Sequence, residues 1–301
     1  MRSDVYAEVT DRIIADLEKG ELTWLKPWNA GYAAGRITRP LRHNGLPYCG
    51  INVLMLWAAA TEAGYLSACW MTFRQAHELG AHVRKGEKGS TVVYAGTISR
   101  SEDDGEEAGE EVKQIPFLKS YTVFNTEQIE GLPGQYQLRP EPVMDPVQRI
   151  AHADQFFAAT GADIRHGGNR AYYNARSDHV QMPLFESFRS PEAHAATLAH
   201  EIVHWTKREN RMSRDFGRRK WGDEGYAREE LVAELGAAFL CADLALMPEP
   251  GADHAAYIQS WLKVLKEDKR AIFSAAAHAQ RAVEFLHGLQ SSSETAEVTV
   301  S

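Results

Sequence analysis

Residues 197–205, TLAHEIVHW, and residues 224–240, EGYAREELVAELGAAFL, decide the fold of the second half of this chain. The first stretch contains the pattern HExxH, and its apolar neighbours repeat as they do along a buried helix. On a helix, the spacing of four residues places His200 and His204 on one face, with Cβ atoms about 5–6 Å apart. Imidazole nitrogens on that face can reach one zinc ion at roughly 2.0–2.1 Å. The first stretch therefore predicts a helix that carries two metal ligands.

Glu201 follows the first of these histidines and lies on the adjoining helix face. In that position its carboxylate can accept a proton from a water molecule, so we predict Glu201 as a catalytic general base. The flanking residues Leu198, Ile202 and Val203 are apolar, which indicates that the charged group is buried. Because burying such charges without a ligand is costly, a metal site is a better interpretation than a chance match.

A zinc hydrolase site needs a third protein ligand, and the second stretch offers four glutamates. Glu230 and Glu234 share one face of the predicted helix, and the pattern ExxAE resembles the third-ligand helix of several zincin families. That resemblance implies that Glu230 binds the metal while Glu234 orients a ligand histidine. Glu224 remains an alternative, since DEGYA resembles the third-ligand stretch of another zincin group. Glu229 is expected mainly on the solvated side of the helix.

The length of 301 residues favours two domains. Prolines and glycines between 133 and 146 mark a linker, so we predict domains at 1–138 and 146–290 in an α+β fold. Helices are predicted at 4–19, 51–63, 73–79, 146–160, 191–208, 226–246 and 252–290. Strands are predicted after the turn in 83–96, within 115–129, and near 162–166, 170–174 and 178–182.

The N-terminal part combines aromatic residues with an excess of basic ones. Residues 22–100 contain nine Lys and Arg against three acids, although the whole chain has a net charge of -8. Stacking aromatics beside phosphate-neutralising cations are typical of single-stranded nucleic-acid binding. The candidate DNA-binding residues are Trp24, Lys26, Trp28, Arg36, Arg39, Arg42, Tyr48, Arg84, Lys85 and Lys88. The other interpretation places the tryptophans in the core, and we prefer it for Trp57 because that residue lies within an apolar helix.

Weaker signals concern the substrate. Zincins bind substrate along an edge strand that precedes the active helix, and residues 179–188, HVQMPLFESF, are a candidate for that strand. Tyr172 or Tyr173 is a candidate for stabilising an oxyanion.

Composition also limits the cellular setting. Cys49, Cys69 and Cys241 are widely spaced and odd in number, which favours a reducing compartment over a disulfide framework. The charged N-terminus does not read as a signal peptide, and the longest apolar stretch is too short to span a bilayer. These features predict a cytoplasmic protein that does not interact with membranes.

Several long strings of the sequence resemble the plasmid-encoded ArdC antirestriction family. They include ITRPLRHNGLPYCGINVLMLW (37–57), WMTFRQAHELGAHVRKGEKGSTVVYA (70–95), RHGGNRAYYN (165–174), TLAHEIVHWT (197–206) and DFGRRKWGDEGYAREELVAELGAAFLCADL (215–244). The resemblance implies an N-terminal domain that binds single-stranded DNA and a C-terminal zincin-like metallopeptidase domain. It also implies that the protein protects incoming conjugative plasmid DNA from host restriction.

Two hypotheses follow from these observations. In the first, the chain is a zinc-dependent peptidase that cleaves a host protein, such as a restriction component, near single-stranded DNA. Zn²⁺ is the expected cofactor, and another divalent metal such as Mn²⁺ also suits the site. In the second, the chain only coats single-stranded DNA and its metal serves folding. The presence of Glu201 favours the first hypothesis, because a structural site has no use for a general base and prefers four protein ligands.

Overall fold

The computed structural model describes residues 4–22, 24, 38–101, 112–136, 145–217, 223–246 and 254–294. The helices are α1 (Val5–Glu18), α2 (Ile51–Ala63), α3 (Phe73–Glu78), α4 (Pro146–Ala159), α5 (Pro191–Trp205), α6 (Glu224–Asp243), α7 (His254–Glu267) and α8 (Ala271–Glu294). The strands are β1 (Leu41–Arg42), β2 (Cys69–Met71), β3 (His82–Val83), β4 (Ser90–Ser101), β5 (Val112–Asn125), β6 (Ile129–Glu130), β7 (Asp163–His166), β8 (Tyr172–Asn174) and β9 (His179–Met182). The mixture of helices and strands confirms the predicted α+β class.

The N-terminal sheet has the strand order β1-β2-β5-β4, which leaves β4 at one edge. The apolar helix α2 packs against β4 and α8, so its lack of a polar face matches burial on several sides. Asn52 on α2 covers the sheet edge, because its amide donates to the Val93 carbonyl at 2.8 Å and its Oδ1 accepts from the Val93 N–H at 2.7 Å. These bonds satisfy backbone groups that an edge strand otherwise exposes.

Strands β4 and β5 form a long antiparallel ribbon, in register from Ser90–Val123 to Ser101–Val112. Val92, Val93 and Val123 are buried at the base of the ribbon, whereas Tyr94, further along it, is exposed. The ribbon therefore extends beyond the core. The strongly acidic run that we expected at its tip lies outside the described residues.

The C-terminal sheet has the order β7-β9-β8, with β9 parallel to β7 and antiparallel to β8. The prediction that residues 179–188 form an edge strand is therefore wrong, because β9 has a neighbour on each side. Residues Val180 and Met182 are buried, as expected of a central strand. Strand β8 is one of the two edges of this sheet, and it packs against α5.

Helices α5 and α6 cross closely. Ser190 caps α5 by accepting the Ala193 N–H, and Pro191 occupies its first turn, as the sequence predicted. A Cβ at Gly236 on α6 would lie 2.8 Å from Cγ2 of Val203 on α5. The glycine therefore permits an approach that any larger residue at this position obstructs.

The predicted single helix at 252–290 is wrong, because the helical conformation is interrupted between the end of α7 at Glu267 and the start of α8 at Ala271. The side chain of Asp268 accepts the backbone N–H of Arg270, and its carbonyl accepts the N–H of Ala271. The carbonyl of Lys269 accepts the Thr10 hydroxyl at 2.6 Å. A side chain that caps a new helix, together with an external donor for the interrupted backbone, accounts for the break.

The two predicted domains share one continuous hydrophobic core. Trp57 on α2 packs edge-on against Phe239 on α6, with ring centroids 5.9 Å apart. Arg39 forms a bidentate ion pair with Asp243, in which Nε donates to Oδ1 at 2.9 Å and Nη2 donates to Oδ2 at 3.0 Å. The boundaries at 138 and 146 remain predictions, and the expected linker falls mostly outside the described residues.

Within the described part of the chain, no helix combines the length and the apolar character that crossing a bilayer requires.

Candidate metal centre

His200, His204 and Glu230 converge between α5 and α6. The Nε2 atom of His200 lies 3.5 Å from Oε2 of Glu230, and Nε2 of His204 lies 3.4 Å from Oε1 of the same carboxylate. One ligand atom from each residue falls within 4.8 Å of the others. Two imidazole nitrogens and a carboxylate oxygen, aimed at one point, are the donor set of a catalytic zinc site with an open fourth position.

A second carboxylate lies behind each histidine. Oε2 of Glu234 is 3.6 Å from Nδ1 of His200, and Oε1 of Glu229 is 3.0 Å from Nδ1 of His204. Both contacts leave the Nε2 atoms facing Glu230, which is how metal-binding histidines are commonly oriented. Glu234 therefore contacts His200, and Glu229 contacts His204.

The expectation that Glu229 is solvated is wrong. Its side chain is buried, and Arg214 binds both of its oxygens, at 2.8 and 2.9 Å. Arg214 also donates to the Val203 carbonyl and the Thr206 hydroxyl at the end of α5. Sequence reasoning missed Arg214 because it lies in a loop with no recognisable spacing from either motif.

Electrostatics within this cluster follow from its carboxylates. Burial alone lowers the pKa of His200, but the carboxylates of Glu230 and Glu234 outweigh burial and raise that pKa well above its usual range. Burial also opposes ionisation of Glu229, yet His204 and Arg214 lower its pKa to about 2. The pKa of Glu230 falls further below its ordinary value, because both histidines outweigh its burial. The carboxylates of Glu229 and Glu230 are therefore ionised at neutral pH, and the ionised form of Glu230 is the one that a cation binds.

Glu201 and Glu224 occupy contrasting environments. Glu201 is buried on α5 beside the two histidines, but it is not one of the three converging donors. That position suits a group that handles a proton rather than one that holds a metal. Glu224 is exposed and pairs with Arg228 at 2.8 Å, one helical turn away. The structure thus places the alternative ligand Glu224 outside the cluster.

Two tyrosines that the sequence did not single out lie beside the cluster. The hydroxyls of Tyr226 on α6 and Tyr257 on α7 are 3.0 Å apart. Burial, followed by the nearby Glu230 carboxylate, raises the pKa of Tyr226. Tyr226 precedes Glu230 by one helical turn, and this spacing is the only sequence signal that predicts their proximity.

The two tyrosines named from the sequence lie on β8. The hydroxyl of Tyr173 is 2.9 Å from Asp178 Oδ1 and 3.2 Å from Arg211, so it is committed to a local network. Tyr172 is exposed and packs edge-on against His179. Neither contact joins these residues to His200 or His204.

Three candidate DNA-binding residues are buried, which overturns their assignment to a DNA surface. Trp24 is fully buried, and its ring centroid lies 6.1 Å from that of Trp261. Tyr48 is 3% exposed. Arg39 is 8% exposed, pairs with Asp243 and lies over the ring of Phe239. The composition of a segment shows that it contains aromatic and basic residues. It does not show which of these residues are buried in the core and which are exposed to solvent.

The other candidates divide into two groups. Arg42, Arg84, Lys85 and Lys88 are exposed, although Arg84 also binds Glu87 and the Glu127 carbonyl. Lys26, Trp28 and Arg36 lie outside the described residues. Trp57 is buried and donates to the Thr38 carbonyl at 2.8 Å, so its predicted place in the core is confirmed.

These features together define the class of protein to which the C-terminal part belongs. The HExxH helix, the crossing glutamate helix and the preceding small sheet are those of a zincin-type metallopeptidase domain. In agreement, residues 151–278 match the family of zincin-like metallopeptidase domains. Residues 3–124 match the N-terminal domain of the anti-restriction factor ArdC.

Similar proteins extend this match over the whole chain. A crystal structure of the antirestriction protein ArdC from plasmid R388, in metal-free form, is 50% identical with a TM-score of 0.80 and covers 96% of this chain and 98% of that one. The Mn(II)-bound structure of the same protein is 49% identical, with a TM-score of 0.78 and coverages of 95% and 98%. The chain therefore belongs to the ArdC antirestriction family.

Two further relatives differ in length. The uncharacterized protein y4eC of Sinorhizobium fredii is 43% identical over 300 residues, which cover 98% of this chain and 95% of that protein. The DNA primase TraC of Escherichia coli is 36% identical over 301 residues, which cover 95% of this chain but only 27% of the primase. The matched unit thus occurs both alone and within a much longer protein.

Proposed function

We propose that this protein binds single-stranded DNA with its N-terminal part and carries a metal-dependent peptidase site in its C-terminal part, and that both protect incoming plasmid DNA from restriction. The observation that carries the peptidase assignment is the convergence of His200, His204 and Glu230 on one point, with Glu201 beside it. Family membership supports the antirestriction role.

The residues of this chain divide the work of the site. His200, His204 and Glu230 hold the cation, and Glu234 and Glu229 fix the orientation of the two imidazoles. When bound, the cation acts as a Lewis acid toward a peptide carbonyl and lowers the pKa of water. Glu201 accepts the proton of the attacking water and delivers it to the leaving amine.

Zinc is the cation that we assign to this donor set. Two imidazoles and one carboxylate match catalytic zinc sites, and manganese binds such ligands more weakly. A Mn(II)-bound structure exists for the ArdC protein of plasmid R388, so a divalent cation of either kind suits a site of this family. Metal analysis of protein purified without added metal tests the assignment.

Strand β8 is the segment that we assign to substrate binding. It is an edge of the sheet and packs against α5, so an extended peptide can pair with it close to the HExxH helix. Main-chain pairing places a scissile bond without regard to most side chains. This arrangement suits a protein substrate, for which we propose a component of the host restriction system.

The DNA-binding role is supported by cations of the N-terminal part. Lys85 and Lys88 are exposed on the turn between β3 and β4, and Arg42 is exposed on β1. Contacts between such residues and phosphates carry little sequence preference and weaken steeply with salt.

Substitution of Glu201 tests the proposal. Conjugative transfer of unmodified DNA into a restricting host is compared for wild type, Glu201→Gln and a matched control, Glu209→Gln. Glu209 is an exposed glutamate shortly after α5. Wild type and the control are expected to protect, whereas Glu201→Gln is expected to bind metal and fail to protect. Full protection by Glu201→Gln would overturn the peptidase role and leave DNA coating as the function.

A further inference from the structure

One face of the β4–β5 ribbon exposes aromatic rings beside a lysine. Alternate residues of a strand share a face, and the register places Tyr121 opposite Val92, Lys119 opposite Tyr94 and Phe117 opposite Gly96. Tyr94 is 58% exposed and Tyr121 is 40% exposed. We call Tyr94, Phe117, Lys119 and Tyr121 the aromatic face. Solvent-exposed aromatic rings grouped on one sheet surface typically mark a site that meets a partner.

The rings are held in place rather than loosely exposed. The centroids of Tyr94 and Phe117 are 5.9 Å apart, and the Lys119 ammonium lies 4.9 Å from the Phe117 centroid. A Cβ at Gly96 would lie 2.7 Å from Cζ of Phe117, so this ring lies against the strand where a side chain would otherwise project. A pre-oriented ring loses little conformational entropy when a flat group stacks on it.

The face continues toward the body of the domain. The register carries this face to β1, because Arg42 pairs with Trp70 on β2 and Trp70 pairs with Asn125, four residues after Tyr121 on β5. Burial and then the electrostatic influence of Tyr121 raise the pKa of Tyr48. The guanidinium of Arg42 lies over the ring of Tyr48, 5.5 Å from its centroid, and Arg42 is exposed. The surface therefore runs from the exposed rings of the ribbon to a second cation on β1.

The positive charge of the two strands indicates the chemical class of the partner. Residues 90–101 and 112–125 contain Arg100, Lys113 and Lys119 but no aspartate or glutamate. Stacking rings interleaved with cations suit a polyanion with exposed flat groups, and every unpaired base has such a π-face. The acidic run that joins the two strands carries seven carboxylates within residues 102–111, and like charge repels phosphates from that end. A bound strand is thus expected near the base of the ribbon.

We propose that the aromatic face is the stacking platform for single-stranded DNA, with Lys119 and Arg42 contacting its phosphates. This inference rests on the proposed DNA-binding function. It assigns stacking to the rings of the aromatic face instead of to Trp24 and Tyr48, which are buried. Duplex DNA does not present its bases to such a surface, so the platform discriminates in favour of single strands.

The test measures binding of the full-length protein to a fluorescent oligothymidylate by anisotropy. The double variant Tyr94→Ser with Tyr121→Ser is expected to weaken binding at least about tenfold, because it removes two rings on which bases stack. The double variant with Phe at both positions keeps the rings and is expected to bind within about twofold of wild type. Phe185→Ala, which removes an exposed ring near β9, is the matched control for general loss of aromatic surface.

Three further readouts separate stacking from misfolding. Equal metal content of all variants shows that the rest of the chain is folded. Gly96→Val keeps every aromatic residue but displaces the Phe117 ring, and it is expected to weaken binding severalfold. Photocrosslinking to an oligonucleotide that contains 5-iododeoxyuridine is expected to modify Tyr94, Phe117 or Tyr121.

The possible outcomes distinguish this inference from the proposed function. If wild type does not bind single-stranded DNA, the proposed DNA-binding function fails. If wild type binds and the double Ser variant binds equally well, or if crosslinks map only to other residues, the platform is refuted while the function stands. An equal loss of duplex and single-strand binding in the double Ser variant would also refute stacking.

Discussion

The indole Nε1 of Trp24 lies 3.4 Å from Oε1 of Glu234, across 210 positions of sequence. The other oxygen of Glu234 faces Nδ1 of His200 at 3.6 Å. Trp24 belongs to the part of the chain that matches the N-terminal domain of ArdC, whereas both other residues belong to the zincin-like part. The N-terminal part thus contributes a residue to the surroundings of the metal centre.

Replacement of Trp24 by phenylalanine is expected to weaken metal binding. The variant keeps a buried ring beside Trp261 but removes the N–H that faces Glu234. Groups that orient metal ligands typically affect affinity by about 10–100-fold, and Trp24 acts one step further away, so we expect roughly threefold to tenfold. Competition with a chelating dye measures the zinc affinity. Trp57→Phe is the control, and equal affinity in both variants would remove Trp24 from the support of the metal centre.

The third ligand is tested by paired alanine substitutions. Glu230→Ala removes a donor that faces both histidines and is expected to lose most bound metal. Glu224→Ala removes an exposed partner of Arg228 and is expected to retain a full complement. Metal content after gel filtration, measured by mass spectrometry, checks both. Normal metal in the first variant and loss in the second would transfer the ligand role to Glu224.

The close crossing of α5 and α6 makes Gly236 sensitive to any side chain. Gly236→Ala places a methyl group against Val203, and overpacking of this kind typically costs about 1–3 kcal/mol of unfolding free energy. Gly288 on α8 is the matched control, since nothing lies within 4 Å of a Cβ added there. Gly288→Ala is expected to be neutral or to stabilise by up to about 1 kcal/mol, because alanine favours helix. Chemical denaturation measures both changes in unfolding free energy. Equal unfolding free energies for Gly236→Ala and Gly288→Ala would show that α5 and α6 accommodate the added methyl group without cost.

Asp178 is expected to contribute to stability in a pH-dependent way. A hydrogen bond from Arg211 is the largest influence on this carboxyl, and it lowers the pKa to about 2 with help from Tyr173 and Arg208. The pKa in the unfolded chain is about 3.9, so folding favours the ionised form. The contribution is therefore present above pH about 4 and is lost as the pH falls toward 2.

The variant Asp178→Asn isolates this contribution. It removes the charge at a residue with a positive φ of 53°, a conformation that asparagine tolerates. The difference in unfolding free energy between wild type and variant is expected to shrink as the pH falls from 4 to 2. A difference that stays constant with pH would show that the ion pair does not act through ionisation.

The helix that carries His200 and His204 is well predicted from the sequence, because its signals depend only on residues close together in the chain. The spacing from His200 to His204 and the Ser190-Pro191 start both depend on a few neighbouring residues. Glu229 was misassigned because its burial depends on Arg214, which approaches from a loop. The helix break at Asp268 was missed for a similar reason, since the donor to Lys269 comes from Thr10 on α1.

The N-terminal surface was predicted less well because exposure depends on tertiary packing. Trp24 and Arg39 have the composition of DNA-binding residues, yet both are buried against α6 or α7. Tyr94 and Tyr121 lie in strands where aromatic residues are common for reasons of packing. Only the register of β4 and β5 shows that they share an exposed face.

The shared core has a consequence for how this unit is inherited. Trp57 packs on Phe239, and Arg39 pairs with Asp243, so a recombination event between the halves would separate partners that bury each other. The residues aligned with the TraC primase cover 95% of this chain rather than one half of it. A gene fragment that encodes both halves together is therefore the smallest piece expected to move between replicons and still yield a folded product.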